Sequence, residues 1–182
     1  MMTLKFLGIS GSLRRHSCNT GLLRAAQQQL PTGVSLEIAN LSNVPLYNAD
    51  IAEKPEAVTQ VFAQIEAADA LVLACPEYNY SIAPALKNIL DWASREPNNI
   101  LLADKPVAIL GAGGGMGTSR AQYHLRQVCV FLNLHPLNKP EVFASAFAGG
   151  FDAEGNLIDA KLTEMVAEQM RALAVWTERL KK

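Results

Sequence analysis

Gly11-Ser12-Leu13-Arg14-Arg15-His16-Ser17-Cys18-Asn19 joins an apolar run, Leu4 to Ile9, to an amphipathic helical pattern that starts near Asn19. A strand, a glycine-serine loop and a helix in that order make a phosphate cradle. Glycine lets the backbone approach an anion, Ser12 and Ser17 offer hydroxyl donors, and Asn19 is the expected cap of the helix. The free N–H groups of the first helical turn then point at the bound charge. The competing reading is an ordinary capped turn whose serines are incidental.

Outward from this loop, apolar strands alternate with helical segments. Strands are expected near Leu4–Ser10, Ser35–Ala39, Ala70–Ala74 and Val107–Leu110, with a short fifth near Pro140–Phe143. Asn19–Leu30, Glu56–Ala67, Pro84–Arg95, Ser119–Leu132 and Ala160–Leu180 repeat apolar residues at three- and four-residue intervals, the period of a helix. Strands that are continuously apolar, separated by helices, indicate an α/β fold in which a parallel sheet is covered by helices on both faces. Ligands of such sheets sit beyond the C-terminal ends of the strands, where the strand order reverses.

That rule selects two further loops. Cys75-Pro76-Glu77-Tyr78-Asn79-Tyr80-Ser81 carries two aromatics, an acid, an amide and a hydroxyl, stiffened by Pro76 and Pro84. Tyr78 can lie against a planar ring while main-chain amides of Glu77–Tyr80 bond its heteroatoms; the alternative is that the tyrosines merely cover the core. Gly111-Ala112-Gly113-Gly114-Gly115-Met116-Gly117 has five glycines in seven residues and permits close backbone approach, or is simply a flexible turn. It follows the fourth strand and lacks the Gly-x-Gly-x-x-Gly register, which disfavours an NAD-binding Rossmann dehydrogenase.

At 182 residues and 49% hydrophobic, with no linker or charge block, the chain 1–182 reads as one domain. A formal charge of −1 with scattered Lys and Arg argues against a nucleic-acid surface. The apolar runs fall short of a membrane span, and Leu4 to Ile9 is too short for a signal peptide, so a cytoplasmic location is expected. Cys18, Cys75 and Cys129 share no Cys-x-x-Cys spacing, and His16, His124 and His135 no ligand spacing, so free thiols and no metal are expected. No Gly-x-Ser-x-Gly elbow occurs.

Gly11-Ser12-Leu13-Arg14 with Ser17 and Asn19, followed by Pro76-Glu77-Tyr78-Asn79 with Ser81, Pro84, Leu86-Lys87-Asn88 and Asp91-Trp92, resembles the NAD(P)H-dependent FMN reductases, a family that includes quinone, azo-dye and chromate reductases. The resemblance implies a flavodoxin-like fold with a five-stranded sheet in the order 2-1-3-4-5, non-covalent FMN, NAD(P)H as co-substrate, and a homo-oligomer, dimer or tetramer. It carries a phosphate role onto Ser12, Arg14, Ser17 and Asn19, a ring role onto Pro76, Glu77, Tyr78 and Asn79, and a contact with the flavin edge onto Ala112 and Gly113. Leu13, Arg15, Cys18 and Tyr80 complete the expected cofactor-binding set.

The flavin would carry the redox chemistry, so no side chain is expected to act as acid, base or nucleophile. Small-molecule acceptors would take turns with NAD(P)H in a ping-pong cycle. A flavodoxin-type electron carrier is the rival; a carrier that docks on redox partners is expected to be strongly acidic, whereas this chain is nearly neutral and places Arg14 and Arg15 at the phosphate loop. Arg120, Tyr123, Tyr80 and Glu141 are expected either to form a polar network between subunits or to lie on an exposed helix face.

Overall fold

The structure, a computed structural model, describes residues 3–181, so Met1, Met2 and Lys182 of the expected 1–182 domain lie outside the described residues. In chain order the elements are β1 Leu4–Ser10, α1 Cys18–Gln28, β2 Val34–Ile38, α2 Glu56–Ala67, β3 Ala70–Ala74, β4 Glu77–Tyr78, β5 Ser81–Ile82, α3 Pro84–Ala93, a 3-10 turn Pro97–Asn99, β6 Pro106–Gly113, α4 Ser119–Phe131, β7 His135–Pro136, β8 Val142–Ser145 and α5 Ala160–Leu180.

The main sheet runs β2-β1-β3-β6, with β7 and β8 both paired parallel to β6 on its outer edge. This is the expected 2-1-3-4-5 order, with the fifth place shared by two short segments. β8 starts at Val142, two residues later than expected, and β7 was not anticipated: two residues, one of them a proline without an N–H, carry no period-two signal.

Alternation along each strand divides the core. Leu7, Ile9, Leu71, Leu73, Val107 and Ile109 face α2, α3 and α4, while Phe6, Val72, Ala74, Ala108 and Leu110 face α1 and α5. Every residue of β3 is buried, as a central parallel strand covered on both sides demands. Burying each Leu or Ile in these layers contributes about 1.5–3 kcal/mol, which holds the strand ends, and the loops leaving them, in fixed register.

Three local expectations are corrected. Ser17, not Asn19, is the N-cap of α1: its hydroxyl accepts the N–H of Thr20 at 3.3 Å, while Asn19 lies inside the first turn. Gly111, Ala112 and Gly113 are strand rather than loop, paired with Phe143, Ala144 and Ser145 of β8. Glycine at 111 reflects contact: a Cβ there would lie 2.3 Å from the Thr118 hydroxyl and 2.4 Å from the Cys75 carbonyl. The turn itself is Gly114–Gly117, closed by the Gly117 N–H on the Gly114 carbonyl at 2.8 Å. Finally, the Glu77–Ile82 segment forms an antiparallel hairpin of β4 and β5, with Asn79 (φ 50°) and Tyr80 (φ 67°) as its two turn residues. A two-residue hairpin turn of this hand needs positive φ at both positions; asparagine tolerates it and tyrosine adopts it rarely.

Candidate functional site

The loops after β1, β3, β6 and β8 meet at the C-terminal edge of the sheet around a cleft of about 170 Å³. Ser12, Arg14, Ser17, Cys18 and Asn19 form one wall, Pro76, Glu77 and Tyr78 the second, and Ala112, Gly113 and Gly114 the third. Ala146 and Phe147 form a fourth wall that the sequence reading missed. The signal was present, because a segment that follows the last strand must also emerge at this edge, and Ala-Phe-Ala is apolar for a loop. Of the remaining expected residues, Leu13 and Arg14 line a neighbouring groove with Ile38, Asn40 and Leu41. Arg15, Asn79 and Tyr80 are exposed and are not among the residues that line the cleft.

The first wall is tied together by Ser10, whose hydroxyl accepts from the Ser12 N–H at 3.2 Å and from the Thr20 hydroxyl at 3.1 Å. Ser12 in turn accepts the Arg14 N–H. Because the Ser17 oxygen accepts from Thr20, its own O–H proton remains to donate. The N–H groups of Cys18 and Asn19, in the first turn of α1, have no intrahelical acceptor. The Asn19 side chain is committed elsewhere: its amide donates to the Ala112 carbonyl and its oxygen accepts the Ala112 N–H, both at 2.9 Å. Asn19 therefore clips α1 to β6 and presents its backbone, not its side chain, to the cleft. Two hydroxyls, a guanidinium and helix N–H groups, with no carboxylate among them, suit an oxyanion such as a phosphate monoester.

Glu77 is the carboxylate of the second wall, and its side chain is only 6% exposed. One oxygen accepts the N–H groups of Arg120 and Ala121, each at 3.2 Å; the other accepts Nε of Arg120 at 2.7 Å and also pairs with its terminal nitrogen. It thus caps α4, whose own Thr118 makes no side-chain cap bond. The Arg120 guanidinium lies 3.7 Å from the Tyr80 ring centroid, and its hydrogen bond to Glu77 holds its pKa above the usual arginine value. Of the four residues expected at a subunit network or an exposed helix face, Arg120 and Tyr80 meet within one chain, Glu141 pairs with Lys139, and Tyr123 is exposed.

Burial pushes the thiols of Cys75 and Cys129 up to about 12, so both are neutral and inert. Cys18 lines the cleft and also packs on the α1 side of the core. Larger cavities lie elsewhere: the Leu13–Arg14 groove of about 290 Å³, one of about 580 Å³ between α3 and α4, and one of about 340 Å³ at the opposite sheet edge. In the cavity at the opposite sheet edge Lys181 pairs with Asp69 at 2.8 Å and Lys105 donates to the Ala68 carbonyl at 2.7 Å. Among the described residues no helix is long and apolar enough to cross a membrane.

The sequence profile of the family described as NADPH-dependent FMN reductase matches residues 4–149. An NAD(P)H-dependent FMN reductase of Pseudomonas aeruginosa is 52% identical over 181 residues, covering 98% of this chain and 97% of that protein. An NADPH:quinone oxidoreductase of Arabidopsis thaliana is 45% identical over 186 residues, covering 97% of this chain and 93% of that one. Among solved structures, the flavoenzyme NAD(P)H:acceptor oxidoreductase FerB of Paracoccus denitrificans superposes with a TM-score of 0.87 at 28% identity, covering 97% of this chain and 98% of that chain. The parallel sheet with helices on both faces is therefore the flavodoxin-like fold.

Proposed function

The chain belongs to the NADPH-dependent FMN reductase family, and from that premise we propose that it reduces quinones with electrons from NAD(P)H passed through a non-covalently bound FMN in the cleft. The observation that carries the reading is the donor set of the first wall: Ser12, Ser17, Arg14 and the N–H groups of Cys18 and Asn19 converge with no competing carboxylate.

FMN, when bound, supplies a two-electron carrier that accepts hydride from a nicotinamide and passes the electrons on. The residues of this chain bind and orient it. Ser12, Arg14 and Ser17 hold the phosphate through side chains, and Cys18 and Asn19 through backbone N–H groups. Pro76, Glu77 and Tyr78 border the ring, Tyr78 with its half-exposed aromatic face and Glu77 through its backbone, since its carboxylate is consumed by α4. Ala112 and Gly113 border the ring edge. Leu13, Arg15, Asn79 and Tyr80, outside the cleft wall, flank the bound group at its rim.

With Tyr78 against one side of the ring, NAD(P)H and acceptor would share the remaining face and take turns. Steady-state rates with NAD(P)H and a benzoquinone are expected to give parallel double-reciprocal plots, with competitive inhibition by quinone against NAD(P)H at high concentration. Intersecting plots would establish a ternary complex and overturn the shared face. The same site is proposed to accept azo compounds and chromate as further small-molecule acceptors. Exposed Tyr123, Val130 and Phe131 on α4 support assembly as a homo-oligomer, dimer or tetramer. One domain working in the cytoplasm completes the reading.

A further inference from the structure

We propose that Phe147 makes the cleft favour flat acceptors over compact ones such as chromate: its ring is the surface on which a quinone lies while it is reduced. This rests on the FMN reading of the cleft. Phe147 lines the cleft yet is 84% exposed, an aromatic side chain at the mouth of a site and not in the core.

Its main chain is fixed. The Ala146 N–H donates to the Gly113 carbonyl at 2.8 Å and the Phe147 N–H to the Ser145 hydroxyl at 3.3 Å. Further on, the Ile158 N–H closes the loop on the Gly150 carbonyl at 2.9 Å. The ring is therefore presented from an anchored backbone while its faces stay uncovered, and a planar ligand stacked there removes apolar surface from water.

The chemistry of the cleft is divided. The hydroxyls and helix N–H groups belong to the β1–α1 wall, and Arg14 is the one cation among the residues that line the cleft. The aromatic residues, Tyr78 and Phe147, belong to other walls, where the only ionised group is Glu77, already bonded to Arg120 and Ala121. Among the residues that line the cleft the cation stands on the β1–α1 wall, whereas Phe147 offers a quinone ring a face to stack on. A preference for flat acceptors over compact ones follows from this arrangement.

The test uses FMN-loaded protein reduced with NADPH and then mixed with either a 1,4-benzoquinone or ferricyanide, a compact octahedral anion without a flat face. Phe147→Ala is expected to lower the second-order rate constant for the quinone about tenfold, the size of one aromatic contact. At saturating FMN the ferricyanide rate should fall far less than the quinone rate, and Phe147→Trp should retain the quinone rate. An unaltered quinone rate or an equal loss with both acceptors would overturn the proposal. So would a changed sedimentation mass, which would assign Phe147 to a subunit contact. Wild-type protein that fails to bind FMN would bring down the cofactor reading and this proposal together, whereas tight FMN without acceptor selectivity would bring down this proposal alone.

Discussion

Glu77→Ala is expected to destabilise the fold by about 2–3 kcal/mol and to loosen the flavin, although the Glu77 carboxylate is not aimed at the ligand. The N–H groups of Arg120 and Ala121 lose a charged acceptor at 3.2 Å, and a hydrogen bond to a charged group contributes about 1.5–3 kcal/mol. The pair with Arg120 adds little, because that guanidinium is solvent-exposed and screened. At this chain length each kcal/mol corresponds to about 2–4 °C in Tm, so thermal unfolding of the flavin-free protein reads the loss directly. Glu77→Gln keeps an acceptor at the helix start and should recover part of it. Equal melting of wild type and Glu77→Ala would mean that α4 does not depend on this cap.

Asn19→Ala should cost more. The Ala112 N–H and carbonyl, at a residue only 3% exposed, would both lose their partner, at about 1–3 kcal/mol for each unsatisfied group. The expected destabilisation is about 3–4 kcal/mol, roughly 10 °C in Tm. The effect on cofactor is separable: the α1 N-terminus would no longer be clipped to β6, so the stabilisation gained on adding excess FMN, which reflects its dissociation constant, should also shrink. A variant that melts lower but gains as much from FMN as wild type would show Asn19 to be structural only.

The two roles mark where sequence reading succeeds. β1, α2, β3 and α5 are legible residue for residue because each buries a continuous stripe or strand whose period appears in the chain. The β1–α1 wall of the cleft is legible because glycine, hydroxyls and a helix start are adjacent in sequence. What escaped depends on partners far along the chain. Asn19 reads as a cap because such residues usually are; its actual partner is 93 residues away. Gly111–Gly113 reads as a turn, since only β8 converts it to strand. The β4–β5 hairpin is too short for any period, and the capping of α4 by Glu77 spans 43 residues. Phe147 is legible only through topology, since the segment after the last strand must emerge at the ligand edge, while an isolated aromatic in a loop says nothing locally of the cleft that it borders.

The assignment of the β1–α1 wall to the FMN phosphate is tested most directly by comparing FMN with riboflavin, the same ring system without the phosphate, as ligands for the flavin-free protein. Fluorescence titration should give a dissociation constant for FMN at least about a hundredfold lower, since Arg14, Ser12, Ser17 and the α1 N–H groups together contribute more than one charge-assisted bond of about 1.5–3 kcal/mol. Riboflavin bound as tightly as FMN would contradict the assignment and place the phosphate, and with it the orientation of the ring, elsewhere.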